Sequence, residues 1–178
     1  MNGIVSLLDD HHYQLVENLW AELEREFSVR GVYVTPYPHF SYQVAAQYNV
    51  EQLEPILSNI AENSTPFHVV CGGLGIFTGP HPVLYIPVVR SQQLNQFHQQ
   101  VWSATLETGS DAQDYYHPDY WMPHITIGFA DINRDNIGSM LQFLSERNFN
   151  WDIPINNIAF IHDDGTRQVL RSRFDFRK

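Results

Sequence analysis

Pro38-His39-Phe40-Ser41 and Pro123-His124-Ile125-Thr126 decide how this chain is read, because the second segment repeats the first class by class: proline, histidine, apolar residue, hydroxyl. Side chains alternate between the two faces of an extended strand, so histidine and hydroxyl point together and the apolar residue points away. Each segment therefore sets a group that moves protons near neutral pH beside a hydrogen-bond donor. Of the 9 histidines only these two have Ser or Thr two positions further on, and both follow proline. On the first strand the alternation puts Phe40, Tyr42 and Val44 on the apolar face and Tyr37, His39, Ser41 and Gln43 opposite. On the second, Pro123, Ile125, Ile127 and Phe129 share the apolar face, against Met122, His124, Thr126 and Gly128.

The flanking sequence repeats as well. Val16, Leu19, Trp20, Leu23 and Phe27 recur at helical spacing, predicting a helix over about 11–27 ahead of the first motif strand. Leu53, Ile56, Leu57 and Ile60 predict a second helix beginning close to Glu51, since Pro55 is tolerated only near a first turn. Residues 67–78 and 83–89 read as two strands joined by Thr78-Gly79-Pro80-His81-Pro82, with Pro87 marking the later one as an edge or bulged strand. Ser91 then caps a helix carrying Leu94, Phe97, Val101 and Trp102, and a Tyr-rich loop leads into the second motif strand. Ile137, Met140, Leu141 and Leu144 mark a fourth helix. Residues 151–162 and 168–176 form a last strand pair turned at Asp163-Asp164-Gly165.

The order is helix, motif strand, helix, strand, strand, twice over. It predicts an α+β fold, a single two-lobed domain over residues 1–178, with lobe one about 11–90 and lobe two about 91–178. Each lobe is an antiparallel sheet with helices on its outer side, and a pseudo-twofold axis leaves a central cleft. If each motif strand lines that cleft, His39 and His124 face each other with Ser41 and Thr126 beside them, an arrangement suited to in-line displacement at phosphorus.

With 43% hydrophobic and 13% aromatic residues the 178-residue chain can build a core without covalent staples, and its single Cys71 reads as a buried small residue. The start lacks a basic n-region and no run approaches a membrane span, so the expectation is a soluble, cytoplasmic protein with no membrane partner. A net charge of −10 repels a phosphate backbone and argues against duplex nucleic acid as a partner. Arg171, Arg173 and Arg177 share one face of the last strand and read as a solvated face, with phosphate steering as the alternative.

His39-Phe40-Ser41 and His124-Ile125-Thr126, together with Gly72-Gly73-Leu74-Gly75-Ile76-Phe77 leading into Val83-Leu84-Tyr85-Ile86, resemble the two-histidine phosphoesterase superfamily. The likeness is to its 2′-5′ RNA ligase-like, cyclic phosphodiesterase-like branch, over roughly residues 30–178. The resemblance implies metal-independent chemistry on 2′,3′-cyclic or 2′-5′ phosphodiesters, without a cofactor. His39 and His124 would be the acid/base pair, and Ser41 and Thr126 the donors to the non-bridging phosphate oxygens. Serine stands in the first motif where threonine is commoner in the family; the donor is kept and a methyl lost.

The acidic surface and the single lysine favour a small cyclic nucleotide or a short RNA end as partner, and hydrolysis over end joining. Tyr37, Met122 and Trp121 are candidate substrate contacts, and Tyr33 and Tyr116 are within conceivable reach. A non-catalytic nucleotide or RNA-end binding module is the competing reading, and a 2′-5′ RNA end-joining ligase a third. Two lobes already complete a cleft, so a monomer is expected.

Other chemistries find little support. Gly72-Gly73-Leu74-Gly75 lacks the Lys-Ser/Thr of a P-loop, no G-x-S-x-G elbow surrounds Ser41, and His68, His81, His117 and His162 have no metal-ligand spacing.

Overall fold

The computed structural model describes residues 1–177. The chain runs β1 (Asn2–Leu7), α1 (Asp10–Phe27), β2 (His39–Ala45), β3 (Gln47–Tyr48), α2 (Val50–Glu62), β4 (Phe67–Val70), β5 (Gly75–Phe77) and β6 (Val83–Pro87). It continues with α3 (Gln92–Thr105), β7 (Gly109–Ser110), β8 (His124–Gly128), α4 (Ile137–Leu144), β9 (Asp152–Ile155), β10 (Asn157–Asp163) and β11 (Gln168–Asp175). Helices α1, α2 and α3 start where a side-chain oxygen can take up a free backbone N–H: Asp9, Asn49 and Ser91 accept from His12, Gln52 and Leu94, a cap that typically stabilises by about 1 kcal/mol.

Two four-position antiparallel sheets carry the fold. The first orders β11-β10-β1-β2. In the second, β5-β6-β8 is extended by β4, which pairs with β9 on one side and on the other continues beside the end of β6 through the Cys71–Val88 bridge. The resulting order is β9-β4/β5-β6-β8, with each motif strand at the inner edge of its sheet. The symmetry is detailed. Leu7 stands opposite His39 and Pro87 opposite His124, while the Pro38 and Pro123 carbonyls accept from Leu8 and Val88 at 3.1 and 2.9 Å.

Four expectations need correcting. The repeat includes a strand before each first helix: β1 is absent from the predicted order, and β6 opens the second unit as well as closing a hairpin. The stretch 67–78 is bent at Gly72-Gly73-Leu74 into β4 and β5, and 151–162 splits into β9 and β10. Pro87 lies on a central strand rather than an edge strand, in a ladder with β8 that is bulged between Leu84 and Tyr85, and is tolerated because β6 pairs with β5 only as far as Tyr85. The division near residue 90 also does not separate the sheets, because β10 from the C-terminal half joins β1 while β4 and β5 from the N-terminal half join β6.

One apolar core runs through both units, with Phe40, Tyr42, Leu57, Leu84, Ile125 and Phe160 among its buried members. Burying each such side chain is worth about 1.5–3 kcal/mol before the entropy of ordering is counted. The helices cross between lobes: α1 packs on β8 and α3 on β2, while α2 lies against α3, β10 and β11.

Candidate active site

Each motif strand carries a bulge immediately after its hydroxyl residue. Ser41 pairs with Val5 but Gln43 with Ile4, leaving Tyr42 unopposed; Thr126 pairs with Tyr85 but Gly128 with Leu84, leaving Ile127 unopposed. One extra residue reverses the faces beyond it. Gln43 is therefore buried and Val44 half-buried, the reverse of plain alternation, and Phe129 turns outward while Gly128 is buried. Up to the bulge the alternation holds, so both histidines and both hydroxyls leave their sheets on the same side.

They meet in a single cleft of about 170 Å³, lined by His39, Ser41, His124 and Thr126. Tyr37, Tyr116, Gln168 and Phe129 form part of its walls. A larger open depression of about 520 Å³ on α4 contains Arg147 and Glu146 and no histidine. Among the described residues no three His, Cys, Asp or Glu side chains converge as a metal site.

Both imidazoles are held alike. Nδ1 of His39 donates to the Tyr37 carbonyl, and Nδ1 of His124 donates to the Met122 carbonyl at 2.6 Å. A carbonyl oxygen can only accept, so Nδ1 carries the proton in each ring and Nε2 is left free to accept one or, once protonated, to give it up. Phe77 and Tyr85 crowd His124 at 4.8 and 5.1 Å between ring centroids. Desolvation lowers the His124 pKa below its ordinary value. Desolvation also lowers His39, to about 4, and the neighbouring His124 charge adds to the drop. Both rings are thus neutral at pH 7, and the first proton taken up opposes the second.

Two buried tryptophans fix the backbone at the hydroxyl residues. Trp20 Nε1 on α1 donates to the Thr126 carbonyl at 3.1 Å, and Trp121 Nε1 donates to the Ser41 carbonyl at 2.8 Å. That role corrects the reading of Trp121 as a substrate contact: it is 1% exposed and stacked at 3.7 Å on His98, so no base can reach its faces. Met122 is 55% exposed and absent from the cleft lining; its carbonyl, not its side chain, serves the site. Tyr37 does line the cleft. Tyr116 does too. Tyr33 packs edge-on against Trp20 instead.

Thr35, whose hydroxyl donates to Gln168 at 2.6 Å, and Phe129 were missed by sequence reasoning. Neither has a local signal, since both come to the cleft only through tertiary folding. Arg171 and Arg173 pair with Glu54 and Asp175 at 3.3 and 2.8 Å, in keeping with a solvated face.

A bilobal antiparallel fold that brings a His-x-Ser/Thr strand from each lobe to one cleft is that of the two-histidine phosphoesterases. The family model described as the 2′-5′ RNA ligase superfamily matches residues 8–167, and the chain belongs to that family. A protein of Oceanobacillus iheyensis named "Putative phosphoesterase OB1230" is 26% identical over 128 residues, 70% of this chain and 71% of its own length. A Bacillus mycoides relative, "Putative phosphoesterase BcerKBAB4_1135", is 26% identical over 137 residues, covering 74% and 75%. The fold also matches that of TT0787 of Thermus thermophilus with a TM-score of 0.69 at 13% identity, over 99% of this chain and 97% of that one. For E. coli LigT the TM-score is 0.64 at 14% identity, over 99% and 98%.

Proposed function

We propose that this protein hydrolyses a 2′,3′-cyclic phosphodiester of a nucleotide or short RNA end, or the related 2′-5′ phosphodiester, by acid/base catalysis between His39 and His124 without a metal. The observation that carries the reading is the matched pair of imidazoles, each with Nδ1 committed to the carbonyl two residues back and Nε2 free in the shared cleft. That E. coli LigT has been crystallised with 3′-AMP supports a nucleotide as the ligand.

In this reaction a water oxygen attacks phosphorus and gives its proton to Nε2 of one neutral histidine. The bond from phosphorus to one ribose oxygen breaks, and that oxygen takes its proton from the other, protonated histidine. The Ser41 and Thr126 hydroxyls donate to the phosphoryl oxygens as charge builds on them. The product is a ribose phosphomonoester, and the two rings end with their protonation exchanged.

Ring opening of the four nucleoside 2′,3′-cyclic monophosphates, followed with and without EDTA, tests this. Activity is expected to survive chelation, and His39→Ala and His124→Ala are each expected to lower kcat/KM by about 10²–10⁴-fold. Loss of activity with EDTA, or near-normal turnover by both variants, overturns the reading. Binding without ring opening of any cyclic nucleotide or short oligonucleotide favours the binding module instead.

A further inference from the structure

We infer that the cleft is built for a phosphodiester carrying one negative charge with the rest of the substrate uncharged, so that a nucleoside 2′,3′-cyclic phosphate enters and the same compound with a further phosphate is rejected. The inference rests on the proposed hydrolysis and narrows its substrate to mononucleosides rather than RNA ends.

No lysine or arginine lines the cleft among the described residues. The arginines closest in sequence to lining residues are Arg30 and Arg167. Arg30 is turned onto Glu24 at 3.2 Å, and Arg167 lies in the exposed turn before Gln168, where its own backbone N–H bonds Asp164. Arg147 and Arg171 are paired with Glu22 and Glu54, and Arg90 is spent on the carbonyls of Pro118 and Trp121. The cleft walls beyond the histidines and hydroxyls are neutral. Thr35 and Gln168 are bonded to each other, and Val34 and Phe129, 44% and 42% exposed, offer apolar surface.

The positive charge available to a substrate is thus what the two imidazoles can hold. Each disfavours protonation of the other, and both rings are desolvated, so the free site is neutral at pH 7 and an entering anion can draw one proton onto the pair, a second being opposed by the first. One imidazolium and one phosphodiester cancel. Every additional phosphate would enter a cleft without a counter-charge, on a molecule whose net charge of −10 already repels anions.

The test compares kcat/KM for adenosine 2′,3′-cyclic phosphate, its 5′-phosphate derivative and an uncharged 5′-carbamate of similar size. The expected result is at least about a tenfold drop for the 5′-phosphate, a carbamate within about threefold of the parent, and a gap that narrows as salt is raised. Equal or faster turnover of the 5′-phosphate overturns the inference. Equal rejection of the carbamate does so too, because the discrimination would then be steric. Arg167→Ala is expected to leave turnover of all three within about twofold; a tenfold loss would show that the turn supplies a cation and would overturn the inference likewise. If none of the three is opened, the hydrolase reading fails, and the charge ranking is read by calorimetric titration of the same compounds. There, about tenfold weaker binding of the 5′-phosphate alone sustains it and equal binding overturns it.

Discussion

His39 and His124 have the properties asked of an acid/base pair only because of what surrounds each ring. The carbonyls of Tyr37 and Met122 choose the tautomer, and desolvation by burial lowers the pKa. Catalysis needs one ring neutral and one protonated, so kcat/KM rises as pH falls toward the first protonation and declines when the second ring also charges. Because both pKa values in the free protein lie below the ordinary 6.5, the expected bell is displaced to the acid side of that value. A pH profile of kcat/KM centred above neutrality would contradict this assignment. The hydroxyls act separately. Ser41→Ala and Thr126→Val are each expected to cost about 10²–10³-fold in kcat with a smaller effect on KM, measured on the same cyclic nucleotide, as befits donors that matter most in the transition state.

Among the elements, the two bulged strands and the tryptophans behind them set the precision of the site. Trp121 touches no substrate, yet its indole N–H holds the Ser41 carbonyl, and Arg90 and His98 hold Trp121 in turn. Trp121→Phe removes that bond while keeping most of the packing. The expected outcome is a fold that survives with about 1 kcal/mol less stability and a several-fold lower kcat at nearly unchanged KM, read from denaturant unfolding and steady-state kinetics. A change in KM alone would mean that Trp121 meets substrate after all. Gly75 on β5 plays a related part for His124, since a Cβ there would lie 2.3 Å from the Tyr85 ring that packs on the imidazole. Gly75→Ala must therefore displace Tyr85, and a fall in activity larger than the fall in melting temperature is the expected signature.

At the scale of the whole molecule, the histidines also make stability depend on pH. Desolvation lowers His98 to about 4, as it does His39, and neither ring is charged in the native state at neutrality. Between the unfolded value near 6.5 and about 4 the unfolded chain binds more protons than the folded one, so stability falls as pH drops through that window and is indifferent to these rings above it. Asp163 and Asp164, whose pKa values are depressed by hydrogen bonds from the turn they cap, act in a lower window. The melting temperature is therefore expected to fall between pH 7 and pH 5, and by less in His98→Gln, which keeps a donor for the Tyr42 carbonyl but cannot titrate.

The parts of this molecule legible without coordinates are those governed by short-range rules. Helical spacing marks the four α-helices of the described residues, and the Pro-His-x-hydroxyl repeat marks both motif strands and the four side chains that share the cleft. β1 escaped because Ile4, Val5, Leu7 and Leu8 are buried alike, covered on both faces, so the run has no alternation to read. Gln43, Val44 and Phe129 were assigned to the wrong faces because a bulge is a mismatch between two paired strands, and one strand's sequence does not contain its partner. The amino-acid sequence by itself determined the repeated unit, its helices and the residue types brought to the reaction. Only the tertiary structure decided that β10 crosses to β1 and β4 to β6, that Trp121 is buried while Phe129 lies in the cleft, and that no cation stands there among the described residues. Periodicity records which way a side chain leaves its own backbone, whereas strand pairing and shared cavities are settled by long-range contacts that cost chain entropy to close and leave no local trace.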